Sequence, residues 1–141
     1  MNIISCHILL VEDNILDADL IKQTLQKTEA SINLEVVADG EEAIAYLDKW
    51  EKGAPVPIVI LLDLKLPKIS GLKVLKQLKS HPKYRLLPVV VLTSSSEMPD
   101  IQQAYNLGAN SYIIKATDYE VFSNTIRLIH RYWCGLNVHP E

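Results

Sequence analysis

Five short apolar runs, spaced along the chain with helical patterns between them, narrow the possible folds more than any other feature. The central run, Ile58-Val59-Ile60-Leu61-Leu62, is apolar at every position. A strand with one face in water alternates, whereas an unbroken run suits a strand covered on both faces in a parallel sheet. The companion runs are His7-Ile8-Leu9-Leu10-Val11, Leu34-Glu35-Val36-Val37, Pro88-Val89-Val90-Val91-Leu92 and Ser111-Tyr112-Ile113-Ile114. From Ile15 to about Thr28, residues Ala18, Ile21, Leu25 and Thr28 recur at helical spacing, with Asn14 as the expected cap. A turn at Asp39-Gly40 leads into a second helix carrying Ala43, Ile44, Leu47 and Trp50. A third starts at Ser70, turns Val74, Leu75 and Leu78 inward, and stops before His81-Pro82. A fourth spans about Pro99 to Leu107 and is closed by Gly108. The last carries Phe122, Ile126, Ile129 and Trp133. Strand and helix thus alternate five times. This predicts an α/β fold, a doubly wound five-stranded parallel sheet with helices on both faces. Residues 5–133 are expected to form one domain, followed by a C-terminal tail at 134–141.

The formal net charge of −3 and the lack of a basic stripe argue against a nucleic-acid binder. No apolar run approaches the roughly 20 residues that cross a bilayer. Met1-Asn2-Ile3-Ile4-Ser5 has no secretory character, so a cytoplasmic location is expected. Cys6 and Cys134 are accordingly read as reduced thiols rather than a disulfide.

The chemistry gathers where the strands end. The first run is followed by Glu12-Asp13, the third by Asp63, the fourth by Thr93 and the fifth by Lys115. In open α/β sheets, ligands bind outside the carboxyl ends of the strands. Three carboxylates, a hydroxyl and an ammonium are therefore delivered to one edge. Two like charges about 4 Å apart cost on the order of 4 kcal/mol at an effective dielectric near 20, so a cation belongs there. Oxygen-only ligands suit a hard ion, and Mg²⁺ combines a few carboxylates with phosphate. Such an ion lets a carboxylate accept a phosphoryl group. Lys115 would balance the phosphoryl oxygens, and the Thr93 hydroxyl could donate to them.

These residues resemble the receiver domain of two-component response regulators. The resemblance runs from Leu9-Leu10-Val11-Glu12-Asp13-Asn14, through Leu61-Leu62-Asp63-Leu64-Lys65-Leu66-Pro67 and Gly71, to Val91-Leu92-Thr93-Ser94-Ser95 and Lys115. It implies the flavodoxin-like receiver fold and a phospho-acceptor switch rather than an enzyme. Asp63 resembles the phosphorylated aspartate. Asp13 resembles a direct Mg²⁺ ligand, Glu12 one acting through water, and the Lys65 carbonyl completes the metal shell. Thr93 and Tyr112 match the switch pair, and Lys115 the conserved-pattern lysine. Two positions depart from the pattern. Ala116 replaces the usual proline after the lysine, so a trans bond or a rearranged loop is expected there. Ser70 replaces the aspartate often found before Gly71.

More narrowly, the chain is similar to single-domain response regulators paired with cyanobacterial phytochrome histidine kinases. The motifs are Ile60 to Lys68, Pro88 to Ser95, and Arg131-Tyr132-Trp133 with Val138 and Pro140. This resemblance implies a sensor histidine kinase as partner, a downstream protein or phosphotransfer partner, and a homodimer to which Phe122, Trp133 and the apolar tail contribute. Trp133 reads equally well as a cover for the core. The alternative is a receiver-like adaptor that binds proteins without being phosphorylated. An aspartyl phosphatase of the haloacid dehalogenase type fails, because its second aspartate would stand at Lys65. A nucleotide-binding reading fails for want of a glycine-rich phosphate loop. Neither Lys65 nor Ser95 is an obvious water activator, so slow self-hydrolysis of the phosphoryl group is expected.

Overall fold

The computed structural model describes residues 6–140. Five strands, β1 (His7–Val11), β2 (Asn33–Val37), β3 (Val59–Leu62), β4 (Val89–Thr93) and β5 (Ser111–Ile114), form one parallel sheet in the order β2-β1-β3-β4-β5. They alternate with α1 (Ile15–Thr28), α2 (Gly40–Glu51), α3 (Gly71–Ser80), α4 (Met98–Asn106) and α5 (Tyr119–Arg131). The doubly wound sheet expected from the sequence is the observed one.

The two-residue period of a strand explains the unbroken apolar runs. Leu9, Val11, Ile60, Leu62, Val89 and Val91 enter a core with residues of α2 and α3. Their neighbours Ile8, Leu10, Val59, Leu61, Val90 and Leu92 enter a second core with Ile21 and Leu25 of α1 and Phe122, Ile126 and Ile129 of α5. Neither face of β1, β3 or β4 meets water, and polar residues stand only at strand ends, His7 opening β1 and Thr93 closing β4.

Local chemistry sets where each helix starts. Asn14, Asp39, Ser70 and Asp118 each accept an N–H from the first turn of the helix that follows. Gly108 closes α4 with φ of 106°, as its placement predicts. All peptide bonds among the described residues are trans, including Lys115–Ala116. A 3₁₀ turn at Tyr84–Leu86 and a π-helical turn at Tyr132–Leu136 carried no periodic signal and were not anticipated.

The expectation of free thiols is corrected. Cys6, just before β1, and Cys134, in the π-helical turn, form a disulfide across a Cα–Cα distance of 5.6 Å. Separation by 128 residues hides this pairing from the sequence. It follows from α1 and α5 lying side by side on the face that β1 also covers. The turn runs across the expected domain boundary at 133/134, and Trp133 and Cys134 pack against the second core. Met1–Ser5, read above as non-secretory, lie outside the described residues.

Two glycines hold the β3–α3 loop. A Cβ on Gly71 would lie 2.2 Å from the Asp63 carbonyl oxygen and 2.5 Å from Leu64 Cα. One on Gly40 would lie 2.0 Å from the Ile69 carbonyl oxygen. Main chain cannot yield as a flexible side chain does. Gly71→Ala is therefore expected to lower stability by about 1–3 kcal/mol, read as a fall in the urea midpoint. An unchanged midpoint would show that the loop can retreat from Gly71.

Candidate functional site

Main-chain bonds place the site residues one step beyond the strands. The Glu12 N–H donates to Val37 O at 3.0 Å, that of Asp63 to Val11 O at 3.0 Å, and that of Lys115 to Thr93 O at 2.7 Å. Thr93 is itself the last residue of β4. The sheet order reverses between β1 and β3, where an open α/β sheet forms its crevice. Glu12, Asp13 and Asp63 meet there, with one oxygen of each within 4.8 Å of the others. Glu12 and Asp63 are buried, and Asp13 is exposed.

Lys115 closes the cluster from the β5 side, with its side chain 8 % exposed. Its Nζ donates to Asp63 Oδ2 at 3.0 Å and to Asp17 Oδ2 at 2.9 Å. It also stands 2.6 Å from Glu12 Oε1, its shortest carboxylate contact, so the ammonium is ion-paired with all three acids. Glu12 Oε2 accepts from the Asn14 N–H at 3.2 Å.

The remaining expected residues are distributed around this cluster. Thr93 is fully buried, and its Oγ1 accepts from the Ser95 N–H at 3.5 Å. Tyr112 is half-buried, and its hydroxyl donates to Ser95 O at 2.8 Å. The Ser95 hydroxyl donates to Asp100 Oδ2 at 2.5 Å. Lys65 is exposed, and its N–H donates to Asp63 Oδ1 at 3.3 Å. Asp17 was not foreseen, since the helical pattern put it off the apolar face. The available signal was a carboxylate one turn beyond Asp13, on the helix that starts at this edge.

The model for the response regulator receiver domain matches residues 8–127. The chain belongs to the response-regulator receiver family. This receiver is 41 % identical over 134 residues to the probable methanogenesis regulatory protein FilR2 of Methanothrix harundinacea, covering 94 % of this chain and 86 % of FilR2. It is 35 % identical over 128 residues to response regulator Rcp1 of Synechocystis, covering 89 % and 87 %. The Mn²⁺-bound form of Rcp1 superposes with a TM-score of 0.90 at 33 % identity, covering 96 % of this chain and 99 % of that one. The phosphorylated cyanobacterial phytochrome response regulator RcpA gives 0.93 at 36 % identity, covering 98 % and 100 %.

The receiver's acidic edge suits a divalent cation on its own chemistry. Its donors are all oxygens, three carboxyls gathered within 4.8 Å of one another beside a single ammonium. Burial, reinforced by the neighbouring Asp63, pushes the Glu12 carboxyl up to about 7, against the pull of Lys115. Burial also works to raise Asp63, but the Glu12 carboxyl, the Lys115 charge and the Thr93 hydroxyl together hold it below the usual carboxylate value. Lys115 is held above its ordinary value, because Glu12, Asp17 and Asp63 outweigh its burial. Without a cation, the pair therefore keeps a proton on Glu12 and a charge on Asp63.

Native Glu12 keeps its proton up to about pH 7, whereas an unfolded chain releases it near 4.5. The native state binds more protons between those values, so stability falls as pH rises through that window. A cation must displace the same proton, so its affinity falls as pH drops below about 7, by up to about tenfold per unit. Calorimetric titration with Mn²⁺ or Mg²⁺ is thus expected to show weaker binding at pH 6 than at pH 8. Equal affinity at both would mean that Glu12 is not the competing group.

Proposed function

We propose that this receiver accepts a phosphoryl group on Asp63 from a sensor histidine kinase, in a Mg²⁺-dependent reaction. The observation that carries the reading is an ionised, buried Asp63 at the sheet's switch point, paired with Lys115 at 3.0 Å. An ionised carboxylate is a nucleophile, and a buried one is shielded from side reactions with water. A kinase phosphohistidine docks at the carboxyl edge. An Asp63 oxygen attacks phosphorus, the P–N bond breaks as the P–O bond forms, and the imidazole nitrogen takes up a proton. Asp13, Asp63, the Lys65 carbonyl and, through water, Glu12 would hold Mg²⁺, which would supply charge neutralisation at the transferring group.

The new charge, about −2 near neutral pH, then draws Lys115 and the Thr93 hydroxyl toward it. Thr93 and Tyr112 both reach the Ser94–Ser95 segment, so a shift of Thr93 is passed to Tyr112 and to the face built by α4 and β5. Reversing a 1:99 equilibrium takes roughly 5.5 kcal/mol, more than one charge-assisted contact of about 1.5–3 kcal/mol supplies. Lys115 and Thr93 must act together.

The kinase we favour is a phytochrome, because Rcp1 and the phytochrome response regulator RcpA match across nearly the whole chain. A cytoplasmic location follows from a kinase partner, although the Cys6–Cys134 disulfide is a pairing rare in that compartment; no helix among the described residues is long and apolar enough to cross a membrane. Output passes to a downstream protein or by onward phosphotransfer. A homodimer would use Leu128, Tyr132, Leu136 and Val138, which are exposed. Phe122, expected to contribute, is buried in the second core and is unavailable, while Trp133 packs against that core.

Incubation with acetyl phosphate and Mg²⁺ is expected to add one phosphoryl group by intact mass, and Asp63→Asn or chelation to abolish the gain. Gain without Asp63 or without a divalent cation would overturn the assignment. With the Ser95 hydroxyl committed to Asp100 and a lysine rather than a water-orienting carboxamide or carboxylate at Lys65, the phosphoprotein should survive for many minutes. Decay within seconds would identify a water-activating group elsewhere.

A further inference from the structure

Asp17 touches the phospho-acceptor machinery without belonging to the cation-binding set. Glu12, Asp13 and Asp63 supply the clustered oxygens, and Asp17 is not among them. It stands in the first turn of α1, where its own N–H is held by Asn14 Oδ1 at 3.0 Å. Its carboxylate is 28 % exposed and accepts a hydrogen bond from Lys115 Nζ at 2.9 Å, across 98 residues of sequence. Lys115 Nζ contacts three carboxyls, Glu12 at 2.6 Å, Asp17 at 2.9 Å and Asp63 at 3.0 Å. One of the ammonium's three carboxylate contacts is therefore directed away from the cation-binding set. The position is fixed rather than incidental, because the Asn14 cap and the buried Lys115 stem define both ends of the contact.

The charge count shows what this arrangement does. A single ammonium set among Glu12, Asp13 and Asp63 leaves a net charge that attracts a divalent cation. The more closely the ammonium approaches Glu12 and Asp63, the less attractive they become. Asp17 adds a negative charge and draws Lys115 to one side, and both effects favour the cation. The same two effects oppose a phosphoryl group, which brings negative charge and needs a Lys115 N–H.

We propose that Asp17 is a positioning residue for Lys115, a counter-ion outside the cation-binding set that favours cation binding at the expense of phosphoryl binding. The proposal rests on the phospho-acceptor reading above. It predicts opposite signs for two equilibria, which a merely structural contact would not produce. Loss of a structural anchor would weaken both.

The test compares wild type, Asp17→Asn and Asp17→Glu, with urea midpoints as a check on folding. Mn²⁺ affinity is measured by calorimetry, and affinity for the phosphoryl mimic trifluoroberyllate is measured at saturating Mn²⁺. Asp17→Asn is expected to bind Mn²⁺ about three- to tenfold more weakly and the mimic more tightly by a similar factor, the size of one lost charge in a partly screened cluster. Asp17→Glu should return both toward wild type. Unchanged Mn²⁺ affinity in Asp17→Asn, or weakening of both ligands, would overturn the proposal. If wild-type protein binds Mn²⁺ but refuses trifluoroberyllate, the phospho-acceptor reading fails, and the Mn²⁺ comparison still decides the role of Asp17.

Discussion

The Glu12 and Asp63 N–H groups are bonded to the carbonyls of Val37 and Val11, so two carboxyls are fixed at neighbouring strand ends. Neither strand can slip to separate them, because a one-residue shift would turn every side chain of a doubly buried strand to the wrong core. The proximity is imposed by the sheet, and the rest of the edge accommodates it. The Glu12 carboxyl is pushed up to about 7, and Lys115 is drawn in from β5 to 2.6 Å from Glu12 and 3.0 Å from Asp63. Each feature relieves the repulsion between the two carboxyls while no cation is bound. The main-chain pairing that builds the core also maintains the electrostatic tension that makes the edge reactive.

The Tyr112–Ser95–Asp100 chain extends this edge toward α4 and β5. Tyr112 bonds to a carbonyl in the segment that follows Thr93, and the Ser95 side chain in the same segment is held by α4. A displacement at Thr93 therefore meets a segment already tied at both ends. It can be transmitted as a change of bonding partners rather than absorbed as slack.

Where the sequence was legible, the signal was periodic or local. Continuous apolar runs marked β3 and β4 because both faces are buried, and Asn14, Asp39 and Ser70 marked helix starts because capping acts over three residues. The residues closing four strands could be assembled into a site because parallel strands all point their carboxyl ends the same way. What escaped depends on tertiary proximity. Cys6 and Cys134 meet only once α1 and α5 share a face, and nothing within either segment signals the other. Asp17 looks like a solvated first-turn acid until β5 brings Lys115 beside it. Phe122 read as a candidate for subunit contact because an apolar helix position looks the same whether it faces a core or a neighbour.

The contacts of Gly40 and Gly71 bear on how variants of this protein should be interpreted. Both abut main chain of the segment that follows Asp63, and neither offers a side chain for chemistry. A genetic screen for lost signalling would recover substitutions at these two positions alongside those at Asp63 and Lys115. By phenotype alone the two groups would be indistinguishable. They would separate in cellular abundance, since the glycine variants deplete the folded protein, whereas on the proposed function Asp63→Asn would leave it plentiful and silent.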